Sequence, residues 1–173
     1  MPVLYLLDAN VLIDANRDYY PIARVPEFWD WLLEMGRQGR IKIPQEFFEE
    51  VILPPPTRER PDPLVDWLKA NKGALVLDEE AVVELVTRVT EQGYASNLTD
   101  EDIVKIGRDP FLVAYALVDI QNRSVVTTEH SKPSKRRANR KLPDVSRDFN
   151  VHCINTFALI EELDFRTGWR EQS

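Results

Sequence analysis

Apolar residues fall into short runs that alternate with helical stripes along the chain. Val3-Leu4-Tyr5-Leu6-Leu7 is one such run, closed by the polar residues Asp8 and Asn10, and its length predicts a buried strand. Val11-Leu12-Ile13 opens a short helix, and Tyr19–Arg24 reads as a loop. Pro26 suits a first helical turn, after which Phe28, Trp31, Leu32 and Met35 recur at helical spacing. Ile41–Ile43 is a second strand and leads through Pro44 into a helix over Gln45–Leu53. Pro54-Pro55-Pro56 should stop that helix, and Thr57–Pro63 should be exposed. Helix is predicted again over Leu64–Asn71, a short strand or extended segment over Ala74–Leu77 and an amphipathic helix over Glu79–Gln92. Thr99-Asp100-Glu101-Asp102 has the form of a capping box before a short helix. Asp109–Gln121 is the next helix, Ser124–Thr128 and Val151–Ile154 are strands, and Thr156–Leu163 is the last helix. Strands alternating with helices predict an α/β fold: a single domain over 1–173 with a central, mostly parallel β-sheet flanked by α-helices.

Composition narrows the picture. With 43% hydrophobic and 29% charged residues the chain suits a globular domain. Its one cysteine, Cys153, excludes an intrachain disulfide and sits in an apolar strand, as a small core residue does. No segment approaches the ~20 apolar residues needed to span a bilayer, and the N-terminal run is too short for a signal-peptide core. A cytoplasmic protein with no membrane partner is expected. The net charge of −7 argues at first against nucleic acid. Its distribution argues otherwise, because Lys132, Lys135, Arg136, Arg137, Arg140 and Lys141 lie between His130 and Pro143 with no acid among them. Those six positive charges leave −13 for the rest of the chain, an acidic body with one basic loop.

The acids supply the candidate chemistry. Ligands of parallel sheets gather beyond the carboxyl ends of the strands. Asp8 follows the first strand, Glu129 follows Ser124–Thr128, and Asp109 opens a helix. Glu46 and Glu50, at i and i+4, share a helix face, with Glu49 beside them. Each acid also has a structural reading: Asp8 and Asp109 as helix caps with Pro110 at the first helical position, the glutamates as the wet side of a helix. Together, oxygen ligands without a His or Cys cluster suit Mg²⁺ or Mn²⁺ and argue against zinc. Asn10 and Thr127 could orient carboxylates or water by hydrogen bonds. His130 reads as a loop residue or phosphate contact and not as a general base.

Four segments carry a resemblance. Asp8-Ala9-Asn10-Val11-Leu12-Ile13 after an apolar strand, Ile43 to Val51, Asp109-Pro110-Phe111-Leu112-Val113-Ala114-Tyr115-Ala116 and Val125-Val126-Thr127-Thr128-Glu129 resemble, in order, the four motifs of PIN-domain nucleases. The resemblance spans nearly the whole chain. It implies a sheet of order 3-2-1-4-5 and Mg²⁺- or Mn²⁺-dependent hydrolysis of RNA phosphodiesters. Asp8, Glu50 and Asp109 would hold metal, with Glu129 as a fourth catalytic acid. Many proteins of this kind are toxins of toxin–antitoxin pairs, which implies an antitoxin and leaves room for a homodimer. Two positions depart from the pattern: Ala9 stands where many members carry Thr or Ser, and Glu129 where Asp is common. Among the second-motif acids, Glu50 has the motif spacing from Pro44, and Glu46 and Glu49 remain alternatives.

On this reading the six basic residues dock the RNA backbone without reading sequence. Two further classes stay open. One is another Mg²⁺-dependent phosphohydrolase with a strand-end aspartate. A haloacid-type phosphatase wants an aspartate at position 10, where Asn stands, and a receiver-type phosphoacceptor wants an acid pair beside Asp8. The other is a PIN-like module that binds RNA or protein without cleaving.

Overall fold

The protein is described by a computed structural model covering residues 2–53 and 62–172. Its sheet has four strands, β1 (Leu4–Leu7), β2 (Ile41–Lys42), β3 (Arg123–Val126) and β4 (His152–Ile154), in the order β2-β1-β3-β4 with every pairing parallel. In β1 the consecutive residues Leu6 and Leu7 are both buried, as are Val125 and Val126 in β3. Neighbouring strand residues face opposite sides, so both faces of the sheet are covered. That is why these strands read as continuous apolar runs.

Helices α1 (Ala9–Asp14), α2 (Pro26–Arg37), α3 (Gln45–Ile52), α4 (Pro63–Ala70) and α5 (Lys72–Leu75) occupy the first half of the chain. Leu12, Leu32, Leu68 and Leu75 from four of them close over Leu7, Ile41 and Ile43. Then come α6 (Val83–Arg88), α7 (Asp100–Ile106), α8 (Asp109–Leu117), α9 (Leu142–Asp148) and α10 (Thr156–Glu162). In α8 Pro110 and Leu112 to Ala116 are all buried, and the helix packs on β1 and β3 and against α6 and α9. A helix apolar on nearly all sides is a core helix. Asp109, at its N-terminal end, is thereby fixed relative to the strand ends. Among the described residues no helix is long and apolar enough to cross a membrane.

Several expectations are corrected. Ala74–Leu77 forms no regular strand: Ala74 and Leu75 belong to α5, while Val76 is extended and makes a parallel bridge to Ile43, flanked by the bonds from Ile43 N–H to the Leu75 carbonyl and from Leu77 N–H to the Ile43 carbonyl. Gly36 explains part of this, because a Cβ there would lie 2.7 Å from the Leu75 side chain. The close approach of α2 to α5 favours a compact turn over an extended edge strand. The helix expected over Glu79–Gln92 begins only at Val83, and from Val89 to Tyr94 it widens into a π-helix. Gly93 lies there against Val145 and Phe149, where a Cβ would come within 2.8 Å of the valine. The helix from Asp109 ends at Leu117. Directly after the basic loop, where no element was predicted, Leu142–Asp148 forms α9, buried through Leu142, Asp144, Val145 and Ser146. The capping box is present, Thr99 accepting from the Asp102 N–H and Asp102 accepting from that of Thr99. The proline stop at Pro54–Pro56 and residues 57–61 of the exposed stretch lie outside the described residues. Cys153 is half-buried, and burial pushes its thiol up to about 11, so it carries little thiolate.

Candidate active site

Asp8 leaves the carboxyl end of β1 and is only 3% exposed. It stands at the N-cap position of α1 yet makes no capping bond. Its Oδ2 accepts instead from the Thr127 hydroxyl at 2.8 Å, just past the end of β3. Thr127 Oγ1 accepts in turn from the Glu129 N–H at 3.2 Å, so one buried hydroxyl ties both strand ends together. Asn10 contributes through its backbone N–H, which lies near enough to the Asp8 carboxylate to favour its charged form. The Asn10 side chain is exposed, which departs from the orienting role expected of it.

Asp109 is the first residue of α8, and Arg108 takes the cap position without a capping side-chain bond. The helix-cap reading of Asp109 therefore fails. Glu50 stands at the rim on α3, exposed as a residue, and desolvation raises its pKa against the pull of Arg108. Glu46 and Glu49 turn elsewhere. Glu46 accepts from the Tyr115 hydroxyl at 3.2 Å, and Glu49 pairs with Gln45 at 2.9 Å and with Arg108 at 3.5 Å. Glu129 accepts from the Leu142 N–H at 2.7 Å and lies 3.5 Å from the Lys141 ammonium.

The electrostatics couple these acids. Burial, then the charges of Glu50 and Glu129, raise the pKa of Asp8 to about 6, against the hydrogen bond from Thr127. Burial, then Glu129, Asp8 and Glu50, raise that of Asp109 to about 8, with Lys141 pulling the other way. Four carboxylates from separate parts of the chain thus press on one another at one end of the sheet. Like charges held close in a poorly solvated site disfavour ionisation, and a cation reverses that penalty.

A pocket of about 270 Å³ joins Asp109 and Glu129 to Lys105, Lys132, Lys135, Arg140 and Lys141. The six basic residues do not act alike. Lys132, Lys135, Arg140 and Lys141 line the pocket, whereas Arg137 turns to Asp102 at 2.8 Å and to Asn97. Arg140 also binds the Gly93 carbonyl and pairs with Asp148 at 2.7 Å. Arg136 donates to the Pro133 and Lys135 carbonyls. Asp144, 1% exposed, anchors the loop by accepting from Ser131 Oγ at 2.5 Å and the Lys132 N–H at 2.7 Å. Residues 5–167 match the family described as a domain of unknown function, DUF4411. The chain belongs to the DUF4411 family. No curated protein and no solved structure matches it.

In this DUF4411 chain the sequence reading missed three contributors. Lys105 reaches the pocket from α7 and looked like an ordinary surface lysine. Asp144 is separated from the acids along the chain, and only its burial marks it. Tyr94 is buried with its hydroxyl unpartnered among the described residues, and burial together with Asp109, Glu129 and Asp8 raises its pKa. No signal in the sequence set that tyrosine apart from other core aromatics. The all-oxygen donor set and the unpartnered phenol beside it fit a hard divalent cation with its water shell. Among the described residues no three His, Cys, Asp or Glu side chains form a coordination cluster. Mg²⁺ usually binds through one or two carboxylates and keeps several waters, so the acids suit it without such a cage.

Proposed function

We propose that the protein is a Mg²⁺- or Mn²⁺-dependent endoribonuclease of PIN-domain type, and the toxin of a cytoplasmic toxin–antitoxin pair. The observation that carries this reading is the meeting of coupled carboxylates and basic side chains in one pocket at the carboxyl end of a parallel sheet. Carboxylates alone would repel a phosphodiester, and lysines alone would hold one without cutting it. Asp8, Glu50 and Asp109 would hold the cation, with Glu129 at its edge. When bound, the cation supplies Lewis acidity, activating water near neutral pH and offsetting the charge that builds on the phosphoryl oxygens.

The protein's own groups do the rest. Thr127 fixes the orientation of the Asp8 carboxylate, an arrangement that outer hydrogen bonds commonly give metal ligands. Lys105, Lys132 and Lys135 neutralise the phosphate backbone and hold the strand over the acids. Glu129, bound to the Leu142 N–H, keeps the end of the basic loop against the pocket. An antitoxin, or a second copy in a homodimer, would place a basic or polar side chain in this pocket and compete with the cation.

The test is incubation of a pooled RNA set with Mg²⁺, with Mn²⁺ and with EDTA. Cleavage with either metal and none in EDTA is expected. Intact RNA in all three, with metal nevertheless bound, would favour a non-cleaving RNA- or protein-binding module.

A further inference from the structure

A second cleft, of about 230 Å³, opens on the other side of the β3 exit. Tyr19, on the π-helical turn over Ala15–Tyr19, and Phe157, on α10, flank it. The two rings are 51% and 49% exposed and meet edge to face with centroids 5.2 Å apart. Such a pair leaves ring faces open for stacking. Thr156 also lines the cleft, is 4% exposed, and its hydroxyl has no hydrogen-bond partner among the described residues. The cleft therefore offers π faces together with a polar group awaiting a partner.

The segment Thr127–His130 relates this cleft to the acid pocket. Thr127 binds Asp8 and Glu129 lines the acid pocket, whereas Thr128 and His130 line the aromatic cleft. Alternate residues of one backbone segment thus serve two neighbouring sites. The aromatic cleft is no second phosphate site, because Arg17 at its edge is paired with Asp14 at 2.9 Å and Asp18 at 2.7 Å. Its volume is below the ~300–1,000 Å³ of sites for drug-sized ligands and suits one planar heterocycle.

We propose that this cleft is a nucleobase-stacking subsite that seats one unpaired base of a single-stranded RNA against Tyr19 and Phe157, the identity of the strand resting on the ribonuclease reading above. A duplex keeps its bases stacked inside, whereas a single strand can splay one out onto an aromatic side chain. The π faces supply affinity, and Thr156 with Thr128 meets the polar edge of the base.

The test compares two labelled RNA octamers by fluorescence anisotropy in EDTA, one mixed in sequence and one abasic at its central positions. Wild type should bind the base-bearing octamer about tenfold more tightly, the effect that one stacked base commonly gives. Phe157→Ala and Tyr19→Ala should each remove most of that preference and leave affinity for the abasic octamer unchanged. Phe157→Trp should keep the preference, and Phe157→Leu, which retains apolar bulk without a π face, should lose it. Thermal melts establish that each variant folds. Equal binding of both octamers by folded wild type overturns the proposal, as does a Phe157→Leu variant that discriminates like wild type. So does a dimer that Phe157→Ala dissociates with RNA affinity unmoved, which would assign the cleft to a protein partner. Because binding is read without metal, the two readings separate. Base discrimination without cleavage keeps the subsite and removes the nuclease, and cleavage without discrimination does the reverse.

Discussion

Asp109 shows how a single buried carboxyl can cost the folded chain stability. Its carboxyl and that of Asp8 hold their protons more tightly in the folded chain than in the unfolded one. Below about pH 4 both states are protonated and no penalty arises. As pH rises through about 6 for Asp8 and about 8 for Asp109, the folded protein must ionise them and loses stability. Urea unfolding in EDTA should therefore show a midpoint that falls between about pH 5 and pH 8, and millimolar Mn²⁺ should reverse the fall. A flat metal-free profile across that range would remove the coupling. Asp109→Asn deletes one charge at nearly constant shape, and Asp109 caps nothing. The metal-free variant should be at least as stable as wild type, yet lose RNA cleavage and most of the metal-induced rise in Tm. For wild type that rise corresponds to about 2.7 kcal/mol at 100 times Kd. Equal metal-induced shifts in both proteins would count against the assignment. Asp8, Asp109 and Glu129 were legible in the sequence because they sit beside strand and helix boundaries. Tyr94 was not, since only the folded chain turns its hydroxyl toward those acids.

Elements with a clear apolar pattern, the continuous run of β1 and the helical stripe of α2, were readable from the chain alone. The misreadings fall where packing overrides local preference. Ala74 and Leu75 have an apolar run that suits a strand, but Gly36 lets α2 press on them and a helical turn results. The π-helical turn at Val89–Tyr94 adds no sequence mark to an amphipathic pattern, and it exists where Gly93 meets α9. Charge concealed α9 itself, because the basic residues before it read as a loop and drew attention from the buried Leu142 and Val145. Asp144 anchors that region. Replacing it with Ala leaves the Ser131 hydroxyl and the Lys132 N–H without their acceptor, a loss of about 1–3 kcal/mol. Asp144→Ala should accordingly lower Tm and also weaken RNA binding by releasing Lys132, as read by thermal melts and anisotropy. Full RNA affinity in the folded variant would show that the loop needs no anchor.

The charge of the whole protein is arranged by region and not by sum. The acidic body would repel RNA everywhere except at the pocket where Lys105, Lys132 and Lys135 converge. For single strands each phosphate contact contributes about −0.7 to the slope of log K against log salt. Lys132→Ala with Lys135→Ala should therefore flatten the slope by about 1.4 and weaken binding alike across sequences. Arg137→Ala should scarcely change it, because Arg137 is engaged with Asp102 and Asn97. A slope that responds to Arg137 and not to the lysines would relocate the docking surface. The topology also sets a timetable. β1 is central, yet its partner β3 begins at Arg123, in register with Leu4. At about 5–20 residues per second a ribosome needs roughly 6–24 s to extend the chain from Leu4 to Arg123. Until then Asp8 has no Thr127 to hold it and Asp109 has no Glu129 near it, so a nascent chain carries no assembled pocket. On the ribonuclease reading proposed above, the protein would in this way be inert while it is still attached to the message and the ribosome that are making it.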